Sequence, residues 1–167
     1  NFKSDTYELN IGDSFADFTE LTFPFTHFQG VDYIAEFKNL RYEIASGSVG
    51  NRLWGNNIYF GEGSRYFHAL KMDYVVSDDL IIRFVDLEGR GESDYPDRVS
   101  SLSADVTLKG VQVIPEIALT DEDDTSWSVR GSYINTILNI NSIYRNYREE
   151  FNTIYAQVPY RGQKGIY

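Results

Sequence analysis

His27 and His68 are the only imidazoles in the chain, and neither stands in an HExxH or comparable ligand spacing. Each therefore reads as a structural or surface residue. No cysteine is present, so there is no thiolate nucleophile, no disulfide and no zinc site that needs a sulfur ligand. The glycine-bearing stretches "GSVG" (47–50) and "GEGS" (61–64) are turn sequences, and the chain has no GxSxG elbow, GxxxxGK[ST] loop or GxGxxG turn. Nucleophilic and nucleotide-dependent chemistry lose their support together.

Carboxylates are what remains. Asp121, Glu122, Asp123 and Asp124 offer oxygen ligands of the kind Ca²⁺ takes, but the run lacks the glycine at position six and the glutamate at position twelve of an EF-hand loop. A solvated hairpin loop is the better reading. Asp73, Asp86 and Glu88 lie on or beside strand-like stretches and would serve acid–base catalysis only if they faced inward together. The expectation is a protein that is not an enzyme and carries neither metal nor cofactor.

The elements that would position these groups are mostly strands. "SLSADVTLKG" (101–110) alternates Leu102, Ala104, Val106 and Leu108 with polar residues, the pattern of a strand with one dry and one wet face. Val111 and Val113 then carry the apolar character on the other parity, which predicts a bulge at Gly110. A similar change at Lys38-Asn39, within "VDYIAEFKNLRYEI" (31–44), predicts a second bulge or bend. Residues 7–11, 66–76 and 80–87 read as further strands, the last two around a turn at Ser77-Asp78-Asp79. "SFADFTELTFPFTHFQG" (14–30) mixes helical and alternating spacings, with Pro24 against a helix, and predicts a turn of helix or loop followed by an edge strand.

Near the C-terminus Tyr133, Ile137, Ile140, Tyr144, Tyr147, Phe151, Ile154 and Val158 follow steps of four and three, which predicts a long amphipathic helix ending at Pro159, with Tyr144 to Tyr155 its firmest part and "INTILNI" (134–140) also readable as the start of a strand. The expected fold is accordingly α+β, a curved antiparallel sheet wrapped on that helix, in one ligand-binding domain over 1–167.

Composition narrows the partners. The formal charge is -10, so the long-range field repels phosphate backbones, and nucleic acid is excluded as the expected partner. No apolar run approaches the roughly 18 to 20 residues of a membrane-crossing helix, which predicts no membrane span and a soluble protein. A chain opening at Asn1 fits a mature secreted product, and an extracellular location is expected. Aromatic residues make up 16% of the chain, and rings so abundant suit either a packed core or a lined cavity.

The stretches "AEFKNLRYEIASGSVG" (35–50), "HALKMDYVVSDDLIIRFVDLEGRG" (68–91), "SADVTLKGVQVIPEIAL" (103–119) and "INTILNINSIYRNYREEF" (134–151) come in an order that resembles the arthropod takeout and juvenile-hormone-binding proteins and the group-7 mite allergens of the tubular lipid-binding superfamily. That resemblance implies a curved sheet around a helix with an apolar tunnel for lipids, terpenoids or pigments. The functional expectation is a non-enzymatic carrier of an apolar small molecule held between sheet and helix. Its candidate lining residues are Trp54, Tyr59, Phe67, Leu70, Met72, Phe84, Val106, Leu108, Ile137, Ile140 and Tyr144, and a homo-oligomer or protein partner is compatible with it. The alternative is an interaction or structural module with a filled core and an acidic surface.

Overall fold

The structure, a computed structural model, describes residues 2–19, 21–22, 26–49, 65–90, 98–134, 139–146 and 164–166. They form eleven strands: β1 (Phe2–Lys3), β2 (Tyr7–Ala16), β3 (Thr26–Phe37), β4 (Leu40–Val49), β5 (Arg65–Ser77), β6 (Leu80–Arg90), β7 (Arg98–Leu108), β8 (Val111–Thr120), β9 (Thr125–Ile134), β10 (Asn139–Asn146) and β11 (Lys164–Ile166). Each pairs antiparallel with the strand before and the strand after it, so one sheet runs in strict sequence order from β1 to β11.

No helix is found among the described residues, and the α+β expectation is corrected to all-β. The expected C-terminal helix begins where β9 and β10 are found. A step of four preserves parity in a strand as well as a stripe on a helix, so Ile140 and Tyr144 share one face of β10. Tyr133 joins them from β9 as the cross-strand partner of Ile140. Two paired strands thus reproduce this part of the helical stripe. Ile137, Tyr147, Phe151, Ile154 and Val158 lie outside the described residues.

Both expected bulges are hairpin turns. Lys109 and Gly110 have φ of 51° and 82°, the pair of positive values a two-residue connection needs to match strand twist, and they join β7 to β8. Lys38, at φ 54°, opens the equally short turn from β3 to β4. Apolar parity changes at each site because the chain reverses there. The Ser77 turn stands as read, with the one β-bulge of the β5–β6 pair beside it, between Val75 and Ser77.

Turn lengths differ between the two ends of the sheet. Residues 38–39, 78–79 and 109–110 separate strands at one end, together with 135–138, whereas residues 17–25, 50–64, 91–97 and 147–163 separate strands at the other, which also has the short turn 121–124.

Core packing gathers on one face. Phe28, Ala45, Phe67, Ala69, Val85 and Leu87 form a buried cluster with Ala16 and Phe18, and Phe28 and Phe67 meet edge to face at 5.0 Å. A smaller cluster joins Leu21 to Val99 and Ala118. Phe18 and Leu21 belong to the connection that leaves β2, so this segment lies across the face that the strands bury. We call that face inner.

Candidate functional site

Directly opposed residues of an antiparallel pair share a face, which lets whole rows be followed across the sheet. One row runs Tyr7, Ala35, Tyr42, Met72, Phe84, Leu102, Ile117, Trp127, Asn146. The adjacent row, one residue along each strand and on the opposite face, runs Glu36, Arg41, Asp73, Arg83, Ser103, Glu116, Ser128, Arg145. The first is apolar at all but its last position. The second is charged or hydroxylic throughout.

Along these two rows burial is the reverse of that found in a sheet packed on an apolar core. Leu102 is 52% exposed and Ser103 5%, Ile117 46% and Glu116 6%, Trp127 37% and Ser128 3%. From Asp73 to Arg145 the sheet keeps its polar row covered or half-covered, while Glu36 and Arg41 at its start are exposed, and it turns the apolar row outward. Tyr7, Ile11, Val31, Ile44, Ile82, Val111, Val113 and Ile140 are also exposed on the outer face. Each such aliphatic side chain left partly in water forgoes a share of the roughly 1.5–3 kcal/mol that full burial is worth.

The inner face satisfies its charges locally. Arg83 donates from Nε to Asp73 Oδ1 at 2.6 Å and from Nη2 to Oδ2 at 3.1 Å. Lys71 donates to Glu43 Oε2 at 3.4 Å, and Gln112 reaches both carboxylate oxygens of Asp105 at 2.9 Å. Among the described residues, Asp32 Oδ1 and Ser126 Oγ are buried on this face without a hydrogen-bond partner.

On the outer face the polar side chains collect towards the long connections. Asp86 accepts two hydrogen bonds from Arg98, at 2.8 and 2.7 Å, and one from Ser100 at 2.6 Å. His68 Nδ1 lies 2.9 Å from Ser46 Oγ, and His27 pairs with Asp13 at 3.3 Å. The polar zone cuts across the hydrogen-bond rows. The row from Leu9 passes Tyr33, Ile44 and Leu70 before entering it at Asp86 and Ser100. The row from Leu80 through Val106, Val113 and Gly131 stays clear of it. The apolar band is therefore oblique to those rows, as it is when tilted strands cross a level layer.

The expected lining residues divide between the faces. Phe67 is inner; Leu70, Met72, Phe84, Val106, Leu108, Ile140 and Tyr144 are outer; Trp54, Tyr59 and Ile137 lie outside the described residues. Met72 and Phe84 are cross-strand partners, and Tyr144 lies 5.1 Å from Trp127 between ring centroids. Asp73 lies on the face opposite Asp86 and Glu88, so the three carboxylates form no single acid–base centre. Asp121 to Asp124 make a turn in which Asp123 takes φ 62° and the Asp124 amide donates to Thr120 Oγ1. No group of three or more potential metal ligands occurs among the described residues.

Sequence reasoning passed over Arg83, Ser103, Glu116 and Ser128. Their signal was the polar partner in each alternation, small or charged where a solvent-facing row has no need of small residues. No helix among the described residues is long and apolar enough to cross a membrane, which leaves crossing by strands open. The chain matches no family model, no curated protein and no solved structure.

Proposed function

We propose that this sheet is the wall of a membrane-spanning β-barrel, with its outer face in lipid and its inner face around a polar interior. The observation that carries the reading is the paired rows, apolar and exposed outside, polar and buried inside, over consecutive strands. In water that arrangement forfeits burial on one face and spends desolvation on the other. In a bilayer each face meets its proper solvent.

Strand length, tilt and connections support it. Strands β2, β4, β6, β7, β8 and β9 have 10 or 11 residues, within the roughly 9–11 that a tilted strand needs to cross. Backbone polar groups are paired between neighbouring strands from β1 to β11, and closure of the first strands on the last would complete the condition for crossing hydrocarbon. Short turns at one end and mostly longer intervals between strands at the other match the asymmetry of barrels that insert from one side. Phe15, Tyr66 and Tyr74 lie towards the two ends of the outer band, where amphipathic rings suit the lipid–water boundary.

The test is refolding from urea with and without phosphatidylcholine vesicles. Folding that requires lipid or detergent, with protease-protected strands and a folded band that shifts on heating in electrophoresis, supports the reading. A monodisperse folded protein in plain buffer overturns it. An apolar guest then recovered by solvent extraction would favour the soluble carrier instead.

A further inference from the structure

Inside the proposed wall, the connection leaving β2 turns across the inner face. Phe18 is buried among Phe28, Phe67 and Leu87, on β3, β5 and β6, while Leu21 is buried against Val99 and Ala118, on β7 and β8. Between these apolar anchors the hydroxyls of Thr19 and Thr22 lie 2.7 Å apart, and Thr19 Oγ1 is 3.4 Å from Ser101 Oγ. Lys71 on β5 holds the segment near its start: Nζ donates to the Asp17 carbonyl at 3.2 Å and sits 5.8 Å from the Phe18 ring centroid. The same ammonium group reaches Glu43. One side chain therefore ties the segment to the charged wall.

Beyond these apolar contacts the inner face also carries polar groups. Asp32 Oδ1 and Ser126 Oγ are buried on the inner face without hydrogen-bond partners, on strands β3 and β9. Such groups are satisfied by water when no protein group serves them, and water requires a polar, roomy enclosure. Ser103, Glu116 and Ser128 extend the polar inner surface on β7, β8 and β9.

We infer that Phe18, Thr19, Leu21 and Thr22 form a strap across a hydrated interior, closing to small ions a path along the polar inner rows, with Lys71 as the positioning residue that keeps the strap seated. The inference rests on the barrel reading and adds a function to it: a wall that is closed at rest and conducts when the strap leaves. Replacing Phe18 and Leu21 by serine removes both apolar anchors without touching the outer face, and Lys71→Ala removes the polar tie.

The experiment has two arms. In detergent, Thr19→Cys/Ser101→Cys is oxidised with glutathione disulfide; because the chain has no cysteine, any intramolecular disulfide reports the strap beside β7. Rapid crosslinking is expected, and its absence in a folded protein overturns the strap. In planar bilayers of phosphatidylcholine, the Phe18→Ser/Leu21→Ser and Lys71→Ala proteins are expected to pass potassium chloride current several-fold above the unaltered protein. The crosslinked pair in the Lys71→Ala background is expected to return to the closed level and to reopen on reduction. Equal currents from all inserted proteins overturn the closing role while leaving the barrel reading intact. Failure of the unaltered protein to enter bilayers at all removes the barrel reading and this inference with it.

Discussion

Arg83 on β6 grips Asp73 on β5 through two hydrogen bonds, one row inside the outward-facing pair Met72 and Phe84. A two-pronged charge pair on a covered face fixes both side chains in direction as well as distance. It also makes each partner dependent on the other.

Removing one partner should therefore cost more than removing both. Arg83→Met is expected to lower stability by about 3 kcal/mol, because Asp73 stays covered and loses its counter-charge, whereas Arg83→Met with Asp73→Leu recovers most of that. Urea titration of the folded protein in detergent measures the difference. Equal losses for single and double variants would show that the pair carries no such dependence.

Exchanging two neighbours tests the faces directly. Leu102→Ser with Ser103→Leu leaves composition unchanged but sends the hydroxyl outward and the apolar side chain inward. Lipid-dependent folding is expected to fail. Leu102→Arg alone is expected to destabilise the lipid-inserted state by about 2–4 kcal/mol, the cost of a cation at mid-bilayer on a strand. Vesicle refolding yields across a urea series provide the readout, and an unchanged yield for the exchanged variant would remove the lipid-facing role of β7.

Gly30 and Gly47 oppose each other across β3 and β4. A methyl group on Gly47 would collide with the Gln29 carbonyl and come within 2.8 Å of Phe28 Cδ2, so the glycine leaves room for that buried ring. Gly47→Ala is expected to cost about 1–3 kcal/mol by overpacking. Chemical denaturation checks it, and tolerance of the substitution would mean that Phe28 can give way.

Lys109 holds a positive φ that few side chains adopt readily, at the first position of a two-residue turn. Lys109→Asn creates an Asn-Gly turn and is expected to stabilise the β7–β8 hairpin by about 0.5–1 kcal/mol. A higher thermal midpoint is the expected outcome; a lower one would imply that the Lys109 side chain has a role beyond the turn.

Most individual strands were legible because alternation is a one-dimensional signal. Leu102 to Leu108 and Leu80 to Leu87 need no partner to be recognised. Chain reversal was not, since Lys109-Gly110 and Lys38-Asn39 shift apolar parity by the same amount whether the strand bulges or turns back. The C-terminal stripe misled for a related reason: Ile140 and Tyr144 are four apart, an interval that suits both periodicities. Which face is covered cannot be read from alternation at all. Leu102 and Ser103 trade environments between an aqueous and a lipid setting while the letters stay the same, and only three-dimensional burial tells them apart. The packing of the segment after β2 was hidden because Phe18 and Leu21 have meaning only through Phe67 and Val99, far along the chain.

The sheet's plain serial order has an evolutionary corollary. Every strand pairs only with its predecessor and successor, so a duplicated or deleted pair of strands would change the width of the sheet without rewiring the pairing that remains. Width can drift by twos while the inside–outside code of each strand stays fixed, and ancestry would then survive in that code after letter-by-letter likeness has faded.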